Sequence, residues 1–307
     1  MEKVIEQLKK NNIEIVRNFD VSNLSSIRIG GKLRFAIFPK TTKELIKVLS
    51  ILYTSKVYFK VVGNLSNILF VSDISYPVVI TNKMIDEVEI EGGKVEVSAG
   101  MLVSKFSDTL RKNRLSGFEG LVGIPATIGG AIMNNAGAFG YSVSDRLVKV
   151  KVFFAGRVFD VFKNQIKFSY HYSNLDGFVL ISATFLFENK NEYDIINLTN
   201  KFTYLRGQSQ PNGFSLGSVY KKINGKSAGF YIERAGLKGL RTGGAVVSIK
   251  HANFFINDKG ASATDFLRLS AKVESAVLNQ FGLTLLPEIE KVGDKDEIIG
   301  RFAYPFK

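Results

Sequence analysis

Gly123-Ile124-Pro125-Ala126-Thr127-Ile128-Gly129-Gly130-Ala131 lies inside a longer run, residues 120–144, that contains no charged residue. The run is long enough to span a bilayer. It also holds six glycines, Pro125 and the pair Asn134-Asn135, a composition that makes a poor helix and a poor lone span. The reading is buried, glycine-rich backbone close to something large. Paired glycines let a main chain approach a ligand closely. The G-x-G-x-x-G spacing of a dinucleotide fingerprint is absent, and no G-K-[ST] follows to make a Walker loop. A buried turn explains the same residues without a ligand.

Three other segments carry chemistry of the same grade. Val62-Gly63-Asn64-Leu65-Ser66-Asn67-Ile68-Leu69 follows an apolar strand over 57–62. Such a turn can present successive N–H groups as an anion nest, with Ser66 and Asn67 adding donors. Phe168-Ser169-Tyr170-His171-Tyr172-Ser173 sets polar aromatics beside one of two histidines. Gly217-Ser218-Val219-Tyr220-Lys221-Lys222 puts a hydroxyl before two lysines, a proton donor beside an anion-binding group. No G-x-S-x-G elbow surrounds Ser218, which argues against a hydrolase nucleophile. Taken singly, an ordinary turn, an aromatic core cluster and a loop entering a strand account for these three.

Around them strands and helices mix without a steady βαβ rhythm, so the fold class is α+β. Thr41 and Glu44 fit a capping box before the apolar spacing of Leu45, Val48, Leu49 and Leu52. Residues 102–113 form a second amphipathic helix. Residues 88–91 and 94–97 alternate about Gly92-Gly93 as a hairpin. Residues 148–154 and 158–161 flank Ala155-Gly156-Arg157 in the same way, and 178–187 read as a buried strand. Ser227 caps a short helix that stops at Gly236. Strands follow over 245–250 and 253–257, then a long helix over 264–280 ending at Gly282. A seam is expected near 204–214, where Gly207, Pro211 and Gly213 cluster.

Composition narrows the function classes. With 307 residues the chain has room for two or three domains and a core that needs no staples. There is no cysteine, which removes disulfides, thiolate-held zinc and iron–sulfur clusters. His171 and His251 are the only imidazoles, so no metal site is expected and redox chemistry would need an organic cofactor. The net charge of +13 attracts anions. It is spread along the chain rather than gathered in a tail, which favours phosphate-bearing small molecules over nucleic acid. Residues 1–12 are charged and lack the apolar stretch of a signal peptide, so a cytoplasmic protein without membrane partners is expected.

In order along the chain, these segments resemble the UDP-N-acetylenolpyruvoylglucosamine reductase family. The resemblance starts at Ser25-Ser26-Ile27-Arg28-Ile29-Gly30-Gly31 and takes in the glycine segments, including Met133-Asn134-Asn135-Ala136-Gly137-Ala138. It resumes at Gln210-Pro211 and Gly217-Ser218-Val219-Tyr220-Lys221. It continues through Ile232-Glu233-Arg234-Ala235-Gly236-Leu237-Lys238-Gly239, Gly243-Gly244-Ala245 and His251-Ala252-Asn253-Phe254 to Leu286-Pro287-Glu288. The short connection between Ser173 and Gln210 resembles the form without an extra substrate-capping loop.

The resemblance implies an FAD-binding fold of the vanillyl-alcohol oxidase type in two subdomains, residues 1–85 and 86–205. A C-terminal α+β substrate domain, 206–307, would follow, its tail returning to the FAD domain. It implies Gly63, Asn64, Leu65, Ser66 and Asn67 as cofactor contacts, with Gly123, Ile124, Pro125, Ala126, Thr127, Gly129, Gly130 and Arg206. NADPH would reduce FAD and leave. The enolpyruvyl sugar nucleotide would then accept hydride from flavin N5, and a serine would protonate the neighbouring carbon. Ser218 matches that serine and Glu288 the family's active-site glutamate. Tyr170, Lys221 and Lys222 would bind substrate, and His171, standing where members carry an arginine, would join the catalytic set. His251 is expected to be structural, and the protein a monomer.

Five positions depart from the family pattern: His171 for that arginine, Lys222 and Ile223 for asparagine and proline, Glu290 for an arginine two residues after the glutamate, and Leu65 for a glycine. Arginine offers a bidentate fork that a neutral imidazole lacks. A paralogue that binds FAD with altered or lost reductase activity, as an oxidase or a nucleotide-sugar sensor, is therefore the alternative. A nucleic-acid binder rests on charge alone.

Overall fold

The computed structural model describes residues 1–294. The first unit is built on a four-stranded sheet in the order Glu14–Asp20, Lys32–Phe38, Ile74–Ile80, Lys60–Val62. The first pair is antiparallel and the other two are parallel. Helices α1 (Glu2–Lys10) and α2 (Thr42–Thr54) bury Ile5, Leu8, Leu45, Val48 and Leu52 against Phe35, Ile37 and Val79. Thr41 Oγ1 accepts the Glu44 N–H at 3.1 Å, as its sequence position predicts. The reciprocal bond is displaced by one residue: the Glu44 carboxylate accepts from Lys40 N at 2.8 Å.

The second unit is a five-stranded antiparallel sheet in the order Arg157–Phe162, Leu147–Phe154, Val179–Leu186, Lys94–Ser98, Val88–Glu91. Both expected hairpins form. Their turns lie at Gly92 (φ 59°) and at Ala155-Gly156 (φ 49° and 77°), with Arg157 already paired to Phe154. The continuous burial over 179–185, Ser182 and Thr184 included, has a physical cause. Leu180, Ala183 and Phe185 face the core shared with α3 (Val103–Lys112) and α4 (Ile128–Met133). Val179 and Ile181 face the core beneath α2. A strand covered on both faces has no polar side to show. Phe106 is a keystone here, with its ring 5.3 Å from Phe118 and 5.6 Å from Phe185. Its truncation to alanine would cost about 3–5 kcal/mol.

The third unit packs α6 (Ala228–Arg234) and α7 (Ala263–Phe281) on a small antiparallel sheet, Arg241–Thr242, Ala245–Val247 and Phe255–Asn257. Ser262 and Asp265 form a reciprocal capping box at the start of α7, and Gly282 ends it with φ 67°. Phe266, Leu269, Val273 and Val277 share a core with Ile27, Ile29 and Leu69 of the first unit. Strand Glu290–Val292 then pairs in parallel with Ile68–Phe70. The rest of the expected tail, residues 295–307, lies outside the described residues.

Three sequence expectations differ from the fold. The run over 120–144 does contain a helix, the six residues of α4, started by Thr127, whose Oγ1 accepts Gly130 N–H at 3.2 Å. Its glycines reflect close approach: a Cβ at Gly129 would stand 3.1 Å from Ala99. Across the expected seam, α5 (Glu192–Ser209) runs through Gly207, and irregular chain begins at Gln210. The strand expected over 245–250 ends at Val247, where Ser248 Oγ accepts the Lys250 and His251 N–H groups and turns the chain.

Candidate active site

A cleft opens between the first two units. Its walls are residues 61–68 on one side and Ala126, Thr127, Gly129, Gly130, Met133 and Asn134 on the other, with 177–180 and Glu290 closing it. Counted with the open solvent at its mouth, its space is about 1010 Å3. Among the described residues, no protein acceptor takes the peptide N–H of Asn64, Leu65, Ser66 or Asn67. Leu65 has φ 53°, the alternation of backbone hand that turns successive N–H groups toward one anion. A glycine at that position would be expected for the same reason. Leu65 is tolerated because its side chain is buried in the first unit's core.

The two walls fit without slack. A Cβ on Gly63 would stand 2.3 Å from Thr127 Oγ1. Asn64 Nδ2 donates to the Pro125 carbonyl at 2.9 Å, and Asn82 Nδ2 donates to Asn64 Oδ1 at 3.2 Å. The N–H groups of Ile128, Gly129 and Gly130 are all committed within the protein, so the free donors belong to the 64–67 turn and not to α4. Gly123 and Ile124 do not line the cleft. Ile124 packs on the second unit's core, and Gly123 (φ 76°) leaves room for Arg206, whose Cδ would lie 2.9 Å from a Cβ there. Arg206 donates through Nη1 to Gln210 Oε1 at 3.3 Å. Among the described residues its buried Nε and Nη2 have no acceptor. Its guanidinium lies 5.4 Å from the Phe139 ring centroid, and burial lowers its pKa. The turn of open N–H groups is what a diphosphate-bearing cofactor requires; Arg206, half-buried, is not among the residues that line the cleft.

Next to the cleft stands a cluster made of side chains. Tyr170 and His171 form the tip of the hairpin Phe168–Ser169/Tyr172–Ser173, with His171 at φ 47°. Their rings meet edge to face, with centroids 4.2 Å apart. His171 Nδ1 is 3.7 Å from Glu288 Oε1, too long for a hydrogen bond. Burial pushes the Glu288 carboxyl up to about 7, against the pull of Lys221 and Lys222. Burial, then Lys222 and Lys221, lower the His171 pKa. The pair is therefore not a fixed ion pair near neutral pH; both partners are biased toward their uncharged forms. Burial, then the Glu288 charge, push the Tyr170 hydroxyl up to about 12, and Lys222 Nζ sits 4.9 Å from its ring centroid.

The cluster is tied to the cleft wall at several points. Ser173 Oγ donates to Met133 O at 2.7 Å, and Asn135 Nδ2 to Ser169 O at 2.9 Å. Asn67 Nδ2 donates to Glu288 O at 3.1 Å, while Asn67 O accepts from Glu290 N at 2.9 Å. The amide read as an anion donor thus also clamps the carboxylate strand. Ser218 is half-buried after Gly217 (φ 77°) and bridges Phe254. The next carbonyl, on Val219, accepts the Glu288 N–H at 2.8 Å, so the two segments run side by side. His251 is structural: Nδ1 accepts the Asn253 N–H at 3.2 Å, and Asn253 in turn holds Tyr220 N and O.

Sequence reasoning missed Gly177, Phe178, Val179 and Leu180 as cleft residues, because strand composition hid them. It also missed Lys60, whose Nζ lies 2.6 Å from Glu290 Oε1, both side chains largely buried. A lysine inside the apolar run Tyr58-Phe59-Lys60-Val61-Val62 was the available signal.

Known proteins carry the same pattern. Residues 34–159 match an FAD binding domain model, and residues 210–292 match the UDP-N-acetylenolpyruvoylglucosamine reductase C-terminal domain. The chain is 36% identical over 294 residues to the UDP-N-acetylenolpyruvoylglucosamine reductase of Caldicellulosiruptor saccharolyticus, covering 94% of each. It is 37% identical to that of Carboxydothermus hydrogenoformans, covering 94% of this chain and 97% of the relative. The crystal structure of the Thermus caldophilus reductase superposes with a TM-score of 0.77 at 29% identity, over 91% of this chain and 98% of that one. With a cleft of open backbone donors, a carboxyl–imidazole–lysine cluster built onto its wall and relatives alike over nearly their whole length, this chain belongs to the UDP-N-acetylenolpyruvoylglucosamine reductase family.

Proposed function

We propose that this chain reduces UDP-N-acetylenolpyruvoylglucosamine to UDP-N-acetylmuramate with NADPH, in peptidoglycan precursor synthesis. The observation that carries the proposal is the coupling of the cleft to Glu288 through Asn67. FAD bound in the cleft would supply hydride transfer between nicotinamide and the enolpyruvyl double bond. Gly63, Asn64, Leu65, Ser66 and Asn67 would hold its diphosphate through their N–H groups. Ala126, Thr127, Gly129 and Gly130 form the facing wall, Pro125 ties it to Asn64, Gly123 leaves room for Arg206, and Arg206 adds a cation. Residues 1–85 and 86–205 serve as the cofactor subdomains and 206–307 as the substrate domain.

The chain's own residues then meet the charge and the proton. Lys221 and Lys222 face the negative charge that grows on the substrate carboxylate, and Tyr170 packs beside Lys222. Glu288, half-protonated near pH 7, donates a hydrogen bond to that charge in its neutral form. Ser218 Oγ gives its proton to the carbon bearing the carboxylate. His171 takes the arginine's place as a neutral donor, with the lysines supplying the charge. Among the described residues no helix is long and apolar enough to cross a membrane. The protein works as a monomer in the cytoplasm on small molecules, without nucleic acid.

The test is anaerobic oxidation of NADPH by FAD-loaded protein. Oxidation beyond one flavin equivalent only when the sugar nucleotide is present supports the reaction. One reduction followed by a stalled, reduced flavin would leave a flavoprotein with another substrate.

A further inference from the structure

Two residues after Glu288 the chain carries a second acid, Glu290, and the fold answers it from another strand. Lys60 Nζ and Glu290 Oε1 are 2.6 Å apart, with side-chain exposures of 4% and 12%. Lys60 belongs to the strand that leads into the 63–67 turn, and Glu290 opens the strand that follows Glu288. Between them Asn67 bonds to both Glu288 O and Glu290 N. Tyr58 and Tyr76, with rings 4.7 Å apart, both feel the Glu290 charge, and Tyr76 OH donates to Gly293 O at 3.0 Å. Breaking half of a buried pair is far more disruptive than replacing both halves with apolar groups.

We propose that Lys60 is a positioning residue for the reaction: through Glu290 it locks the 288–290 strand to the cofactor turn and so sets the Glu288 carboxyl against His171. The inference rests on the proposed reductase reading. His171 is the natural reporter. It is faced by Glu288, Lys221, Lys222 and the Tyr170 ring, and His251 is the only other imidazole in the chain. A displaced Glu288 changes the His171 titration and leaves that of His251 alone.

The experiment compares the wild type with Lys60→Met, Lys60→Arg and the double variant Lys60→Met/Glu290→Met. Imidazole NMR is recorded across pH without substrate. Stopped-flow then follows reoxidation of reduced, FAD-loaded protein by the sugar nucleotide. Lys60→Met is expected to move the His171 midpoint by about half a pH unit and to slow reoxidation at least about tenfold. Lys60→Arg is expected to restore both. If Lys60→Met does not fold, the double variant decides: the proposal requires it to regain stability while its His171 titration and reoxidation rate stay altered. A double variant that regains stability, titration and rate together makes the pair merely structural and overturns the proposal, as does an unchanged His171 in folded Lys60→Met. A wild type that never reoxidises on the sugar nucleotide defeats the reaction instead, and the His171 titration then settles the role of Lys60 by itself.

Discussion

The cleft and the cluster beside it are built from different materials. The cleft offers peptide N–H groups from one short turn, Asn64 to Asn67, and a facing wall in which Gly63 lies against Thr127. Its chemistry lies in the backbone, so exchanging a surface side chain there changes little while adding one atom changes much. The cluster gathers side chains from residues 170–171, 221–222 and 288. Its chemistry depends on which groups those are and how dry they are. A backbone site is sensitive to bulk and nearly indifferent to pH. A side-chain site is sensitive to identity and titrates.

The largest effect that sharpens this contrast belongs to Ser218. Ser218→Ala removes the proposed proton donor and no cleft atom. Turnover is expected to fall roughly 100- to 10,000-fold, while FAD affinity and the rate of flavin reduction by NADPH stay at wild-type values. Stopped-flow separates the two half-reactions, and a variant with unimpaired reoxidation would remove Ser218 from the mechanism.

Next in size is the pH dependence of stability. Glu288 titrates near 7 in the fold and near 4.5 when unfolded. The native state therefore binds more protons between those values, and stability must fall as pH rises across that window. The contribution is fully present below about 4.5 and lost above about 7, up to roughly 3 kcal/mol. Glu288→Gln, neutral throughout, should melt close to wild type at pH 4.5 and several degrees higher at pH 8. His171 acts in the opposite sense, since its lowered value makes stability fall as pH drops through it. Parallel melting curves for Glu288→Gln and wild type over the whole range would contradict the burial argument.

The cleft's counterpart is Gly63→Ala. The new Cβ meets Thr127 Oγ1, which cannot turn away without releasing its cap on Gly130 N. Overpacking of this kind costs about 1–3 kcal/mol, with no pH dependence. Thr127→Ala alone loses a cap worth about 1 kcal/mol. Combined, the two changes should cost less than their sum, because Thr127→Ala removes the hydroxyl that the new Cβ meets. Strict additivity in denaturant melts would mean that the walls give more readily than the distance allows.

The same contrast governs what could be read before any fold was known. Signals local in sequence carry through: the Thr41 cap, the turns at Gly92 and Gly156, the stop at Gly282. The glycine segments also pointed to the cleft, because a backbone that must come close to something announces it in consecutive residues. The helix α4 escaped because its glycines, poor for an isolated helix, are there for contact with Ala99. Residues 177–180 escaped because one apolar strand faces two cores and a cleft with the same residue types. The resemblance picked out Glu288, Lys221 and His171 as separate positions. Nothing local says that Glu288 would lie 3.7 Å from His171, or that the acid at Glu290 would be answered by Lys60. Those are pairings across 117 and 230 positions, and a single sequence does not encode them in any short pattern.

The smallest effect tests whether the cluster's electrostatics are as local as its geometry. Lys222 lies over the Tyr170 ring and holds the His171 pKa down after burial has done most of the lowering. Lys222→Met keeps the length of the stem and removes the charge, so the His171 midpoint should rise toward 6.5 by a few tenths of a unit, about what one partly screened charge supplies. Substrate affinity should weaken modestly, since Lys221 remains. His251 feels Lys238 and Glu233 rather than Lys222, and its resonance should hold still in the same NMR titration. A His171 midpoint that falls, or that moves together with His251, would mean that the variant has disturbed the fold and not the field, because removing a nearby positive charge can only make an imidazolium easier to form.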